Sequence, residues 1–264
     1  MLCPNMTNES VIRSRSNALI QRARAVVAGK ERDRIVLEGD RLVDDALDGK
    51  CEFEVVLVAH DRVERANELA ARDQRVQLVD AEILAQLSTL ETSPGIIALA
   101  STPRSADLAT LPLDARTLVL VVAGIADPGN LGALARTAEA LGASALVVVR
   151  GGASPWNAKA LRGSMGSLLR LPVVHGIEAD ACSATLAKRA ARQVVATTRG
   201  GANPARFDWK GPLALWVGAE TGETPGVTQR FEHVTIPIKS GVESLNVTVA
   251  ASILLFAAGR VARK

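Results

Sequence analysis

The chain has 264 residues, 48% apolar and 22% charged, a globular balance that excludes a disordered or fibrous protein. Its net charge is only +3, but Arg13, Arg15, Arg22, Arg24, Lys30, Arg32 and Arg34 crowd into one stretch against Glu31 and Asp33. Three scattered cysteines and three scattered histidines have no redox or metal-ligand spacing, so a reduced cytoplasmic protein with no metal is expected. The start of the chain lacks a signal-peptide layout. The apolar stretch Leu245–Gly259, broken by Asn246, Thr248 and Ser252, falls short of the ~18 residues of a membrane span.

In chain order, a helix is predicted from about Ser16 to Val27, ended by Gly29, and a second over Asp40–Leu47, stopped by Gly49. Arg13, Arg15, Arg22 and Arg24 here are candidate contacts to the phosphates of a polyanion, although an ordinary solvated helix face carries the same charges. Strand Phe53–Ala59, helix Arg62–Arg72, strand Val76–Val79, helix Ala81–Leu87 and strand Gly95–Ala100 complete a small α/β unit. Prolines at 103 and 112 mark the next stretch as a linker, giving boundaries of 1–102, 103–115 and 116–264.

Beyond the linker, Thr117–Ala123, Ala145–Val149, Val194–Thr198, Leu213–Val217 and Val234–Ile238 are continuous apolar runs, as in strands buried on both faces of a parallel sheet. Helices are predicted between them at Leu131–Leu141, Ala179–Ala191 and Leu245–Val261. An open α/β sheet of this kind binds its ligand beyond the carboxyl ends of the strands.

Three loops at such ends carry polar residues. In Asp127-Pro-Gly-Asn130, Pro128-Gly129 makes the turn, Asn130 is placed as helix N-cap, and Gly142 ends the helix. On a helical wheel Leu131, Leu134, Ala135, Ala138 and Leu141 form the stripe facing the sheet. Arg136 falls about 140° from Leu131, and Gly132 one turn earlier is expected to leave open space beside it. In the second loop, Gly218-Ala-Glu220-Thr-Gly222, two glycines allow close backbone approach to a ligand. The third runs from Ile236 to Val247 and leads into a helix rich in small residues, with Ser244 as its expected N-cap. That helix reads either as a close-packed core helix or as a dimer interface. The dinucleotide fingerprint G-x-G-x-x-G is missing after the first strand of this sheet, which lowers an oxidoreductase reading.

The order of the three loops, from Asp127 to Arg136, Leu215 to Gly222 and Ile236 to Ala250, resembles the SpoU (TrmH-like) branch of the SPOUT RNA methyltransferases. A fourth segment, Arg162-Gly-Ser164-Met-Gly166 before Leu171-Pro-Val173, is similar to a further feature of that branch. The resemblance covers about Thr117 to Arg260. The N-terminal unit is similar to the substrate-binding domain of ribosomal-RNA members, which shares its fold with a ribosomal protein.

This resemblance implies a C-terminal α/β trefoil-knot methyltransferase domain with a mostly parallel sheet, preceded by a small α/β ribosomal-protein-like domain. It also implies S-adenosylmethionine as cofactor, a homodimer through the C-terminal domain, and 2′-O-methylation of a ribose, with 23S ribosomal RNA favoured over transfer RNA. Asn130, Arg136, Glu220, Ser244 and Asn246 match positions around the reacting centre. Gly218, Ile236, Leu245 and Asn246, with Thr197 and Thr198 as further candidates, match the cofactor side. The ending Ala257-Ala-Gly-Arg260 departs from the acidic-then-basic helix end of many members. With no Tyr, three Trp and four Phe, RNA recognition is expected to rest on charge and shape more than on stacking. An inactive RNA-binding module is the competing reading, disfavoured by the presence of both Asn130 and Arg136.

Overall fold

Glycine and proline set several element ends seen in the structure, a computed structural model that describes residues 11–31, 33–49, 51–218 and 225–259. Glu220 therefore lies outside the described residues. The chain divides into two units, Met1–Pro103 and Arg104–Lys264.

In the first unit α1 (Ala18–Val27), β1 (Arg34–Glu38), α2 (Asp40–Asp48), β2 (Phe53–Ala59), α3 (Val63–Ala71), β3 (Val76–Val79), α4 (Ala81–Ala85) and β4 (Ile96–Ser101) follow one another. The sheet order is β1-β4-β2-β3; β4 is antiparallel to both neighbours, and β2 and β3 are parallel. Ile20, Ala23 and Val26 of α1 join Val55, Leu57 and Leu99 in the core. Strand β1 was not expected, because only Ile35-Val-Leu37 is apolar between Arg34 and Glu38. The buried Glu38 is satisfied by the Thr89 hydroxyl (2.9 Å), the Thr89 amide (3.3 Å) and the Ser88 hydroxyl.

In the second unit β5 (Leu118–Val122), α5 (Pro128–Ala140), β6 (Ala145–Val149), α6 (Ala158–Ser164), α7 (Ser167–Arg170), β7 (Val173–Ile177), α8 (Ala179–Lys188), β8 (Arg192–Ala196), β9 (Leu213–Val217), β10 (Glu232–Val234) and α9 (Val247–Ala258) form a six-stranded sheet with its helices. The order is β10-β8-β9-β5-β6-β7, and every pairing is parallel. Strands β5, β6 and β9 are buried along their whole length, as continuous apolar runs require. Leu108 and Leu111, from the segment read as a linker, are buried in this core, and Arg189 Nη1 donates to Leu108 O at 2.9 Å.

Two strands lie earlier in sequence than their apolar runs suggested. Strand β8 starts at Arg192, whose guanidinium makes a two-point pair with Glu232 (2.9 and 2.8 Å). Strand β10 ends at Val234 because the chain then leaves the sheet: the Thr235 amide donates to Ala202 O at 2.9 Å, and Pro237 has no amide to give.

Candidate active site and cofactor cavity

At the carboxyl ends of β8 and β9 the structure holds a cavity of about 240 Å³. It brings together Thr197 and Thr198 after β8, Gly218 after β9, Ile236 and Ile238 after β10, and Ser244 and Leu245 before α9. Val217, Val247 and Leu254 add to an apolar wall, with few polar groups among the lining residues. That is the chemistry of a slot for a flat, amphipathic body such as a nucleoside. Five of the six cofactor-side residues expected from sequence line it; Asn246 does not.

Asn246 has another task. Its Oδ1 accepts from the amides of Thr248 (2.9 Å) and Val249 (3.4 Å), so Asn246, not Ser244, is the N-cap of α9. The correction has a plain cause. The helix begins two residues later than the polar Ser244 suggested, leaving Ser244 and Leu245 as cavity lining.

Thr197 lines the cavity, but its hydroxyl is engaged. The Gly201 amide donates to Thr235 Oγ1 (2.9 Å), the two threonine hydroxyls bond at 3.0 Å, and Thr197 Oγ1 donates to Val234 O (3.4 Å). Gly201 lies so close to the strand leaving β10 that a Cβ there would come within 2.7 Å of the Val234 backbone. Segments 197–202 and 233–235 are thus laced together along one side of the cavity.

The cap of α5 lies three residues before the expected Asn130. Asp127 is the cap: its Oδ2 accepts from the Asn130 amide at 3.1 Å, with Pro128 in the first turn. An Asp immediately before Pro is the signal that could have placed it. Gly142, at φ 79°, follows the helix end as expected. Arg136 is exposed, and among the described residues its guanidinium has no hydrogen-bond or ion-pair partner. The space beside Gly132, by contrast, is not open. A Cβ there would lie 2.4 Å from Ala160 O and 2.9 Å from the Ser164 amide, because α6 crosses at that glycine. Neither α6 nor its Lys159 was singled out from sequence. Lys159 Nζ reaches Asp127 Oδ1 at 2.5 Å, and this bond, with the Asn130 and Gly129 amides, holds the Asp127 carboxyl below the usual range against partial burial.

Of the four N-terminal arginines all are exposed, but only Arg22 and Arg24 lie on α1; Arg13 and Arg15 precede it. Arg22 is paired with Glu54 and Glu31 (3.6 Å to the latter), whereas Arg13, Arg15 and Arg24 make no ion pair among the described residues. The described residues contain no group of three His, Cys, Asp or Glu suited to a metal ion. No helix among them is long and apolar enough to cross a membrane.

Residues 117–256 match the model of the SpoU rRNA methylase family. The chain belongs to that family. Residues 17–98 match the MRM3-like substrate-binding domain, so both units have counterparts among known proteins. A 23S rRNA (guanosine-2′-O-)-methyltransferase from a Burkholderia species is 34% identical over 198 residues, covering 72% of this chain and 79% of the relative. The 23S rRNA (adenosine(1067)-2′-O)-methyltransferase of Streptomyces laurentii is 31% identical over 95% of each chain. In structure, the AdoMet-bound rRNA methyltransferase of Sinorhizobium meliloti superposes with a TM-score of 0.84 at 25% identity, covering 95% of this chain and 97% of that one. The fold is that of the SPOUT methyltransferases, and S-adenosylmethionine is the family's cofactor.

Proposed function

We propose that this protein methylates a ribose 2′-hydroxyl of 23S ribosomal RNA, with S-adenosylmethionine held in the cavity at the carboxyl ends of β8 and β9. The observation that carries this reading is the convergence of Thr197, Gly218, Ile236, Ser244 and Leu245, from separate loops, on one apolar slot next to α9. Such a slot takes an adenosine and leaves polar backbone at its rim to orient it. When bound, the cofactor supplies a methyl group activated by its sulfonium.

The protein's share is positioning and charge. A guanidinium is a poor proton acceptor, so Arg136 is unsuited to act as a simple base. Its exposed, unpaired guanidinium grips the neighbouring phosphate and stabilises negative charge developing on the 2′-oxygen. Asn130, six residues earlier on the same helix, orients Arg136 or the ribose, and Glu220 and Ser244 complete the polar surround, with Asn246 capping α9 next to Ser244. Residues 1–102 act as the RNA substrate-binding unit, with Arg13, Arg15 and Arg24 on phosphates. Arg22, tied to Glu54, contributes less.

The active form is a homodimer in the cytoplasm. Val249, Ile253 and the 75%-exposed Phe256 recur on one face of α9 at helical spacing, and a second copy covers them. The interlaced segments at Gly201 are the crossing of the family's knot. Mapping 2′-O-methyl groups on 23S rRNA with and without the gene tests the reading. One site is expected to disappear on deletion, and an unchanged map overturns it.

A further inference from the structure

We infer that Lys159 is a positioning residue for the reacting centre, acting through Asp127 on the setting of α5. The inference rests on the proposed role of Asn130 and Arg136, both carried by that helix.

The geometry starts with the first turn of α6. Asn157 Oδ1 accepts from the Lys159 amide at 2.8 Å and fixes where the lysine leaves the helix. From there the side chain spans to the start of α5, where its ammonium donates to Asp127 Oδ1 at 2.5 Å while Asp127 Oδ2 holds the Asn130 amide. One carboxylate therefore joins the α6 lysine to the backbone of Asn130. The stem of Lys159 also lies over Gly129: a Cβ there would be 3.0 Å from its Cε and 2.9 Å from Asp127 Oδ2. Further along, Gly132 sits against the backbone of Ala160, Gly163 and Ser164, and a Cβ on Gly163 would meet Gly129 O at 3.4 Å. Helix α5 thus has a glycine contact as its pivot and the Lys159–Asp127 pair as the tie that stops it turning.

A cation at a helix N-terminus opposes the helix dipole, and here it is accommodated only through the intervening carboxylate. With side chains 59% and 43% exposed, the pair contributes little to fold stability. Its effect on position is larger. A rotation of α5 by about 10° moves a group roughly 6 Å from the axis by about 1 Å. A misplacement of that size at a reacting centre costs on the order of 100-fold in rate.

The test compares Lys159→Met, Lys159→Arg, Asp127→Asn and the double variant Asp127→Asn/Lys159→Met, using a 23S rRNA transcript and labelled S-adenosylmethionine. The inference expects kcat to fall at least tenfold in Lys159→Met, with unchanged cofactor Kd and melting temperature. It expects substantial rescue by arginine, and a double variant no worse than the poorer single one. Full activity of Lys159→Met overturns it, as does a rise confined to the KM for RNA, which marks a direct RNA contact. Parallel loss of cofactor affinity and melting temperature also overturns it, since that marks a general folding role. Arg136→Ala is the control for the underlying reading: an active Arg136→Ala removes the reaction-centre assignment, whereas an inactive one beside an active Lys159→Met removes only the inference about Lys159.

Discussion

Replacing Gly132 with alanine puts the α5–α6 crossing to a quantitative test. The added Cβ would lie 2.4 Å from Ala160 O, 2.9 Å from the Ser164 amide and 3.0 Å from Gly163 C, all backbone atoms with no rotamer to change. Overpacking of a closed interior costs about 1–3 kcal/mol, and rigid backbone places this site at the upper end. Alanine recovers about 1 kcal/mol through its better helix propensity. The net loss is about 2 kcal/mol. For a domain of this size that lowers the melting temperature by about 4–8 °C. Calorimetry on Gly132→Ala beside Gly226→Ala, whose Cβ would meet nothing within 4 Å, is the assay. The control is expected to melt with the parent. A Gly132→Ala variant that melts at or above the parent would refute the crossing.

Two further outcomes follow from the second unit. Thr235→Val keeps the shape of the side chain but leaves the Gly201 amide without its acceptor, at a cost of about 1–3 kcal/mol. If about 1.4 kcal/mol of that reaches the cavity wall, Kd for S-adenosylmethionine weakens tenfold, and Thr235→Ser restores it; calorimetric titration reads both. His175 accepts a hydrogen bond from Trp156 Nε1 at 3.1 Å, which only a neutral ring can do, and burial lowers its pKa below the usual 6.5. The unfolded chain therefore binds this proton first as pH falls. Stability is full above about pH 6.5, declines through the window beneath it and levels off below the folded pKa. Denaturant titrations between pH 5 and 8 are expected to show this slope flattened in His175→Gln, and an unchanged slope counts against it.

Runs such as Ala145–Val149 and Leu213–Val217 were legible as strands because burial on both faces leaves no polar position to blur them. Strand β1 was not, since three apolar residues between two charges carry no periodicity. Helices α6 and α7 hid for a different reason: Met165 (φ 50°) and Gly166 (φ 83°) turn the chain left-handed between them, so neither helix is long enough to repeat its pattern. The cavity residues could be found only through the family resemblance, because the loops after β9 and β10 match its motifs in order while each loop alone is weak. The tie between Asp127 and Lys159 could not, because nothing local links residues 32 apart. For the same reason Gly132 was read as leaving open space when a neighbouring backbone fills it.

The central claim, that Arg136 serves transfer of a methyl group to a ribose hydroxyl, is tested most directly by single-turnover methylation of a 23S rRNA transcript with purified protein. The product is digested to nucleosides and resolved by mass. The account expects the wild type to yield a single 2′-O-methylnucleoside, and both Arg136→Ala and Arg136→Lys to lose most of the rate while binding S-adenosylmethionine normally, since lysine lacks the two-point guanidinium contact. A base-methylated product, or near-normal turnover by Arg136→Lys, would contradict it.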